Sequence, residues 1–242
     1  MKTKIELENN VKYHYEILGF ATFKDIMKKF EENFKFYRIA NEGKVNAKEI
    51  VYDVPNNMLS NFGIVISKQY EDGKIMLKVR KLSSLKGAMK RPSKKFALGE
   101  LGKDEEPKDF SLQITQAIEN SFNTKFTVDL DAFVKETIPK IQIDIEATKY
   151  QLICGTGYRA YMLFENITYR DLKTNNKVMR PSVTLQLPNG NDIPENKEIL
   201  DTIDKKISEL ALYNYSRFEI AKQLLYPDVK PQEETQTVEE EE

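Results

Sequence analysis

The sequence predicts an α+β domain on an antiparallel sheet, with about eight strands closing into a barrel and helices flanking it. Three observations lead there. Strand-like runs fill both halves of the chain, helical spacing separates them, and no regular strand–helix–strand alternation calls for a parallel sheet. With 242 residues, 40% of them hydrophobic and 10% aromatic, the chain is long and apolar enough to bury one substantial core.

Residues 3–18 alternate loosely and end in a β-rich stretch from Val11 to Leu18, one long strand or two short ones, broken by Gly19. Phe20, Phe23, Ile26, Met27, Phe30 and Phe34 recur at helical spacing over 20–36. A strand covers 49–54, and Pro55-Asn56-Asn57 is a turn. Residues 62–70 and 74–81 form a strand pair joined by Glu71-Asp72-Gly73, because an Asp-Gly step adopts the positive φ angles of a tight hairpin. Residues 82–109 are rich in Lys, Ser, Gly and Glu and read as a mobile loop, or a weak strand with a long connection. Helices are expected over 110–122 and 129–138.

The second half repeats the pattern. Strands are expected at 140–154, 157–165, 167–172 and 181–187, with turns at Asn175-Asn176 and Asn189-Gly190. Two helices close the domain. The first carries Ile199, Ile203, Ile207 and Leu210 on one face; the second carries Phe218, Ala221, Leu224 and Leu225 and stops at Pro227. The folded domain is expected over 1–228, followed by a disordered acidic tail over 229–242.

Composition excludes several chemistries. One cysteine, Cys154, leaves no intramolecular disulfide, and its apolar neighbours Leu152 and Ile153 mark it as a small buried hydrophobe. One histidine, His14, rules out the usual His/Cys zinc site, and nothing adjacent to it suggests a nucleophile–base pair. No apolar run reaches 18 residues and the charged start MKTKIELENN has no apolar signal region, so a cytoplasmic protein is expected, or a virion component. The net charge is −1, but six glutamates fall in residues 232–242; taking those six away leaves about +5 on the body. That surplus is too small to imply nucleic-acid binding by itself. The cluster Lys86, Lys90, Arg91, Lys94 and Lys95 lacks interleaved aromatics and reads as a solvated loop that could touch nucleic acid or phosphate.

Three segments resemble the CYTH family, the triphosphate tunnel enzymes. Tyr52-Asp53-Val54-Pro55, then Leu59, Gly63 and Ile66, is similar to the family's aromatic, Asp-Thr-Pro, leucine and strand-opening glycine. Lys74-Ile75-Met76-Leu77-Lys78 resembles the basic strand that follows. Tyr215-Ser216-Arg217-Phe218-Glu219 resembles the Ser-Lys-Tyr-Glu signature on the last helix. The order fits across most of residues 5–226. The resemblance implies an eight-stranded CYTH-like barrel whose inward Lys and Arg hold a triphosphate and whose inward glutamates hold Mg²⁺ or Mn²⁺. On that reading Lys78, Arg80, Arg159 and Arg217 would bind phosphate, and Glu6, Glu8 and Asp171 would ligate metal. No catalytic residue is assigned.

The chain departs from the family at defined places. The first strand should read Glu-x-Glu-x-Lys, and Asn10 follows Glu6 and Glu8 where the lysine belongs. A competing register, Lys12-Tyr13-His14-Tyr15-Glu16, supplies no acidic pair. Ser67 and Gln69 stand where the family has two arginines, and Thr184 and Gln186 where it has a second Glu-x-Glu. Two function readings result. One is a divergent protein that binds or hydrolyses a triphosphate, polyphosphate or nucleotide with a divalent metal. The other is an inactive barrel serving as a structural or interaction module, with protein partners or copies of itself, as in a phage or viral particle.

Overall fold

A computed structural model describes residues 10–71, 73–82, 94–122, 129–188, 193–213 and 215–227. The strands are β1 (Asn10–Ile17), β2 (Tyr37–Asp53), β3 (Ile64–Glu71), β4 (Lys74–Lys81), β5 (Lys94–Glu100), β6 (Ile138–Cys154), β7 (Arg159–Asp171), β8 (Lys177–Pro188) and β9 (Leu210–Tyr213). The helices are α1 (Phe23–Asn33), α2 (Met58–Asn61), α3 (Ser111–Phe122), α4 (Leu130–Lys135), α5 (Pro194–Lys206) and α6 (Arg217–Leu225).

The strands form one antiparallel sheet in the order β5-β4-β3-β2-β6-β7-β8-β1-β9. The antiparallel α+β expectation holds. Its strand count and closure differ, since there are nine strands and no pairing joins β5 to β9 among the described residues. The spine is the ladder between β2 and β6, two strands of 17 residues each, paired from Tyr37↔Cys154 to Asp53↔Ile138.

The outer face carries two helical layers. α1 begins at a capping box, in which Thr22 accepts from the Asp25 amide and Asp25 accepts from the Thr22 amide. It buries Ile26 and Phe30; Phe30 stacks on Phe34 at 5.1 Å, and Phe23 meets Phe164 of β7 edge-on at 5.4 Å. Ile199 and Ile203 of α5 complete this cluster against Val183, Leu185 and Leu187. Burying a phenylalanine of this kind contributes roughly 2–3 kcal/mol. The second layer sets Ile114 and Ile118 of α3 and Leu130 and Val134 of α4 against Ile64, Ile66, Leu77 and Val79. The inner face is covered by α6, whose Phe218, Ala221 and Leu225 pack on Ile141, Ile143, Ile145 and Tyr169.

Local expectations differ from the structure where neighbours decide. The strands expected at 157–165 and 167–172 are one strand, because Asn166 keeps its place in the ladder between Glu146 and Pro181. The strand expected at 49–54 begins at Tyr37; its first half is largely exposed, so it carries little hydrophobic pattern. β5 supplies the weak strand that is one of the two readings of residues 82–109, and Leu210 opens β9 instead of extending the helix before it. The hairpin read from Asp-Gly is present: Glu71 pairs with Lys74, and Gly73 has φ 73°. The acidic tail and Lys86, Lys90 and Arg91 lie outside the described residues.

Candidate functional site

Directly paired residues of antiparallel strands share a face, so the register fixes what lies beneath α6. His14 of β1 pairs with Thr184 of β8, which pairs with Leu163 of β7; two residues on, Ser182 pairs with Glu165. Gln186 pairs with Lys12 and with Tyr161. The first strand therefore takes the competing register: Lys12, His14 and Glu16 face Gln186, Thr184 and Ser182. Across the spine, Glu49 pairs with Gln69, and Ser67 pairs with Lys78.

Two buried carboxylates anchor this face. Glu165 is 1% exposed. Its Oε2 accepts from the Thr184 hydroxyl at 2.7 Å and the Ser182 hydroxyl at 3.1 Å, and its Oε1 accepts from Arg217 Nη2 at 2.6 Å. Burial pushes this carboxyl up, but Arg217, His14 and the Thr184 hydroxyl outweigh it and hold it below the usual range. Glu49, also buried, is paired with Arg80, which reaches the Ser67 hydroxyl at 3.3 Å. Burial opposes its charge too, and Arg80 followed by the Ser67 hydroxyl reverses the direction. Lys78 donates to the side-chain oxygen of Gln69.

His14 extends the first network. Its Nδ1 lies 2.8 Å from Thr184 Oγ1. The Thr184 hydroxyl has one proton and spends it on Glu165, so Nδ1–H must donate to Thr184 and the ring is assigned as the Nδ1–H tautomer. Burial, and then the Arg217 charge, depress this imidazole to about 3, so it is neutral at neutral pH. The chain His14, Thr184, Glu165, Arg217 ties β1, β8, β7 and α6 together. Among the described residues, three polar atoms on the same face are buried without a partner: Arg80 Nε, Arg217 Nε and Gln186 Oε1.

The residues singled out from sequence fall differently. Lys78 and Arg80 on β4 and Arg217 on α6 come together on the inner face, the last two against carboxylates. Arg159 is exposed at the start of β7, six residues and about 20 Å of extended strand from Glu165. Asp171 holds the β7–β8 turn, its Oδ1 accepting from the amides of Lys173 at 2.7 Å and Thr174 at 2.9 Å. Glu6 and Glu8 lie outside the described residues. Cys154 is half-buried against the α1 cluster. Among the described residues no group of three His, Cys, Asp or Glu side chains could hold a metal ion. The donors on this face do not suit a divalent cation, since Glu49 and Glu165 each face an arginine and, apart from Glu16, the flanking oxygens are neutral.

The segments that carry the sequence resemblance prove to be architecture. Asp53 accepts from the amides of Val54, Leu59 and Ser60 and so closes the turn into α2. Gly63 sits at φ 70°, and a Cβ there would meet the Leu82 carbonyl oxygen at 3.1 Å. Ser216 and Glu219 form a capping box at the start of α6. Sequence reasoning missed His14, Glu49 and Glu165. Glu165 had one signal, a charge directly after the apolar run Met162-Leu163-Phe164.

No family model matches the chain, and no curated protein matches it. Solved structures do. HpAC1 from Hippeastrum, proposed to be an adenylyl cyclase and described as having a dominant triphosphatase activity, matches with a TM-score of 0.53 at 8% identity, over 88% of this chain and 95% of that one. The PH1819 protein from Pyrococcus horikoshii matches with a TM-score of 0.48 at 12% identity, over 89% of this chain and 99% of that one. The likeness to HpAC1 is one of fold, and the fold is CYTH-like.

Proposed function

We propose that this chain keeps the CYTH-like fold without metal-dependent triphosphate hydrolysis, and that it serves as a non-catalytic binding or interaction module. The observation that carries this reading is the pairing of Glu49 with Arg80 and Glu165 with Arg217 on the face where such a protein would need free acids for metal and free bases for phosphate. A carboxylate bonded to Arg217, Thr184 and Ser182 has three of its roughly four lone-pair sites engaged and its charge already met by a guanidinium. Thr184 and Gln186 add only neutral oxygens, which hold a divalent ion far less tightly.

A second reading, binding or hydrolysis of a triphosphate or nucleotide with Mg²⁺ or Mn²⁺, draws support from Lys78, Arg80 and Arg217 sharing one face. It requires the ion to be held by Glu6, Glu8 and Asp171, and Arg159 to reach the phosphate from the rim. One experiment separates the two. Phosphate release from tripolyphosphate is followed with and without Mn²⁺. The non-catalytic reading expects no release above buffer. Metal-dependent release that disappears in Glu6→Ala/Glu8→Ala would establish the second.

A further inference from the structure

A small, partly open cleft lies between α6 and strands β1, β7, β8 and β9. Its lining is chemically divided. Tyr169, Tyr213 and Ile220 give an apolar and aromatic wall. Arg180 and Arg217 supply two guanidinium groups, against one carboxylate, Glu16.

The two arginines are not equally committed. Arg217 is bonded to Glu165 through Nη2, yet its Nε is buried and has no partner. An unmet buried donor is unfavourable, so the Arg217 guanidinium has hydrogen-bonding capacity that Glu165 does not use. Arg180 is exposed, and no carboxylate pairs with it among the described residues. Tyr169 feels both charges, since Arg217 and Arg180 each pull its phenol down against the larger effect of burial. The cleft thus offers one face for a ring and one edge for a negative group. Among the described residues that line it only Arg180 and Arg217 are cationic, so a polyphosphate would find no third cation there.

We propose that this cleft binds a small aromatic anion, a ring carrying one carboxylate or phosphate, with the ring beside Tyr169 and Tyr213 and the anion between the Arg180 and Arg217 guanidinium groups. This names a ligand for the non-catalytic module and rests on that reading. The recognition needs no metal. Charge-assisted bonds to Arg180 fix the anion, and the aromatic wall selects against simple inorganic anions.

Amide-detected NMR titration of the full chain tests it, with benzoate and phenyl phosphate as probes and with benzamide and inorganic phosphate as controls. Saturable shifts at the start of α6 and in β8 around Arg180 are expected for benzoate, phenyl phosphate or both, and which of them binds tighter identifies the anionic group. Benzamide and inorganic phosphate should bind at least tenfold more weakly. Arg180→Gln should weaken the aromatic anion by roughly tenfold or more while leaving the melting temperature unchanged, because the side chain is exposed. The proposal is overturned if neither probe gives saturable shifts, if either control matches the probes, or if Arg180→Gln binds as the parent does. Phosphate release from tripolyphosphate, measured separately, reports on the non-catalytic reading whatever the titration gives.

Discussion

Lowering the pH from 7 to 5 should cost the fold about 2 kcal/mol through one side chain, His14. In the native state its imidazole titrates near 3, because the half-buried ring is desolvated and faces Arg217. In the unfolded chain it titrates near its ordinary value of about 6.5. Between those values only the unfolded chain binds the proton. The contribution is therefore complete above pH 6.5 and is lost as the pH falls toward 3. At pH 7 the unfolded ring is about one-quarter protonated and at pH 5 almost fully so, and integrating between these points gives about 2 kcal/mol. The figure is insensitive to the native value, since any below about 4 leaves the folded ring neutral throughout this window. Urea unfolding at pH 7, 6 and 5 measures the loss. His14→Asn, whose amide can occupy the Nδ1 position and donate to Thr184, should be less stable at pH 7 but almost flat across the window. Equal losses in parent and variant would refute the assignment of a half-buried neutral His14.

Other perturbations address the rest of the inner face and its cap. Glu165→Gln leaves the half-buried Arg217 without its bonded counter-charge and should cost about 3 kcal/mol, read from the denaturant midpoint. Glu165→Leu combined with Arg217→Met removes both charges and should cost less than Glu165→Gln alone; an additive double variant would deny the coupling. Ser216→Ala removes the α6 cap and should cost about 1 kcal/mol in the same assay, with faster amide exchange in that helix. Phe30→Ala should cost about 3–5 kcal/mol, since the ring is fully buried against Phe34 and Phe164.

What was legible in the sequence was what neighbours in the chain decide. The β3–β4 hairpin follows from Asp-Gly, α1 from the spacing of Ile26 and Phe30, and the end of α6 from Pro227. The segments resembling the CYTH family are of this kind: Asp53, Gly63 and Ser216 hold turns and a helix start, so they report fold and leave the chemistry open. The inner face is decided by pairings between distant segments. His14 meets Thr184 across 170 residues, and only that register shows that Lys12, His14 and Glu16 form the first strand's inner row. Glu49 and Glu165 are unremarkable charges in sequence until the sheet sets one beside Arg80 and α6 brings Arg217 to the other. The same holds for the strand at Tyr37, whose exposed residues leave little hydrophobic pattern to detect.

The most direct test of the central claim is phosphate release from tripolyphosphate by the purified chain, with Mn²⁺ and with Mg²⁺, beside Glu49→Gln and Glu165→Gln. The account predicts no release above the protein-free rate for any of them, with Glu165→Gln detectable only as lost stability. Metal-dependent release by the parent that falls in either glutamine variant, at a temperature where both remain folded, would contradict it.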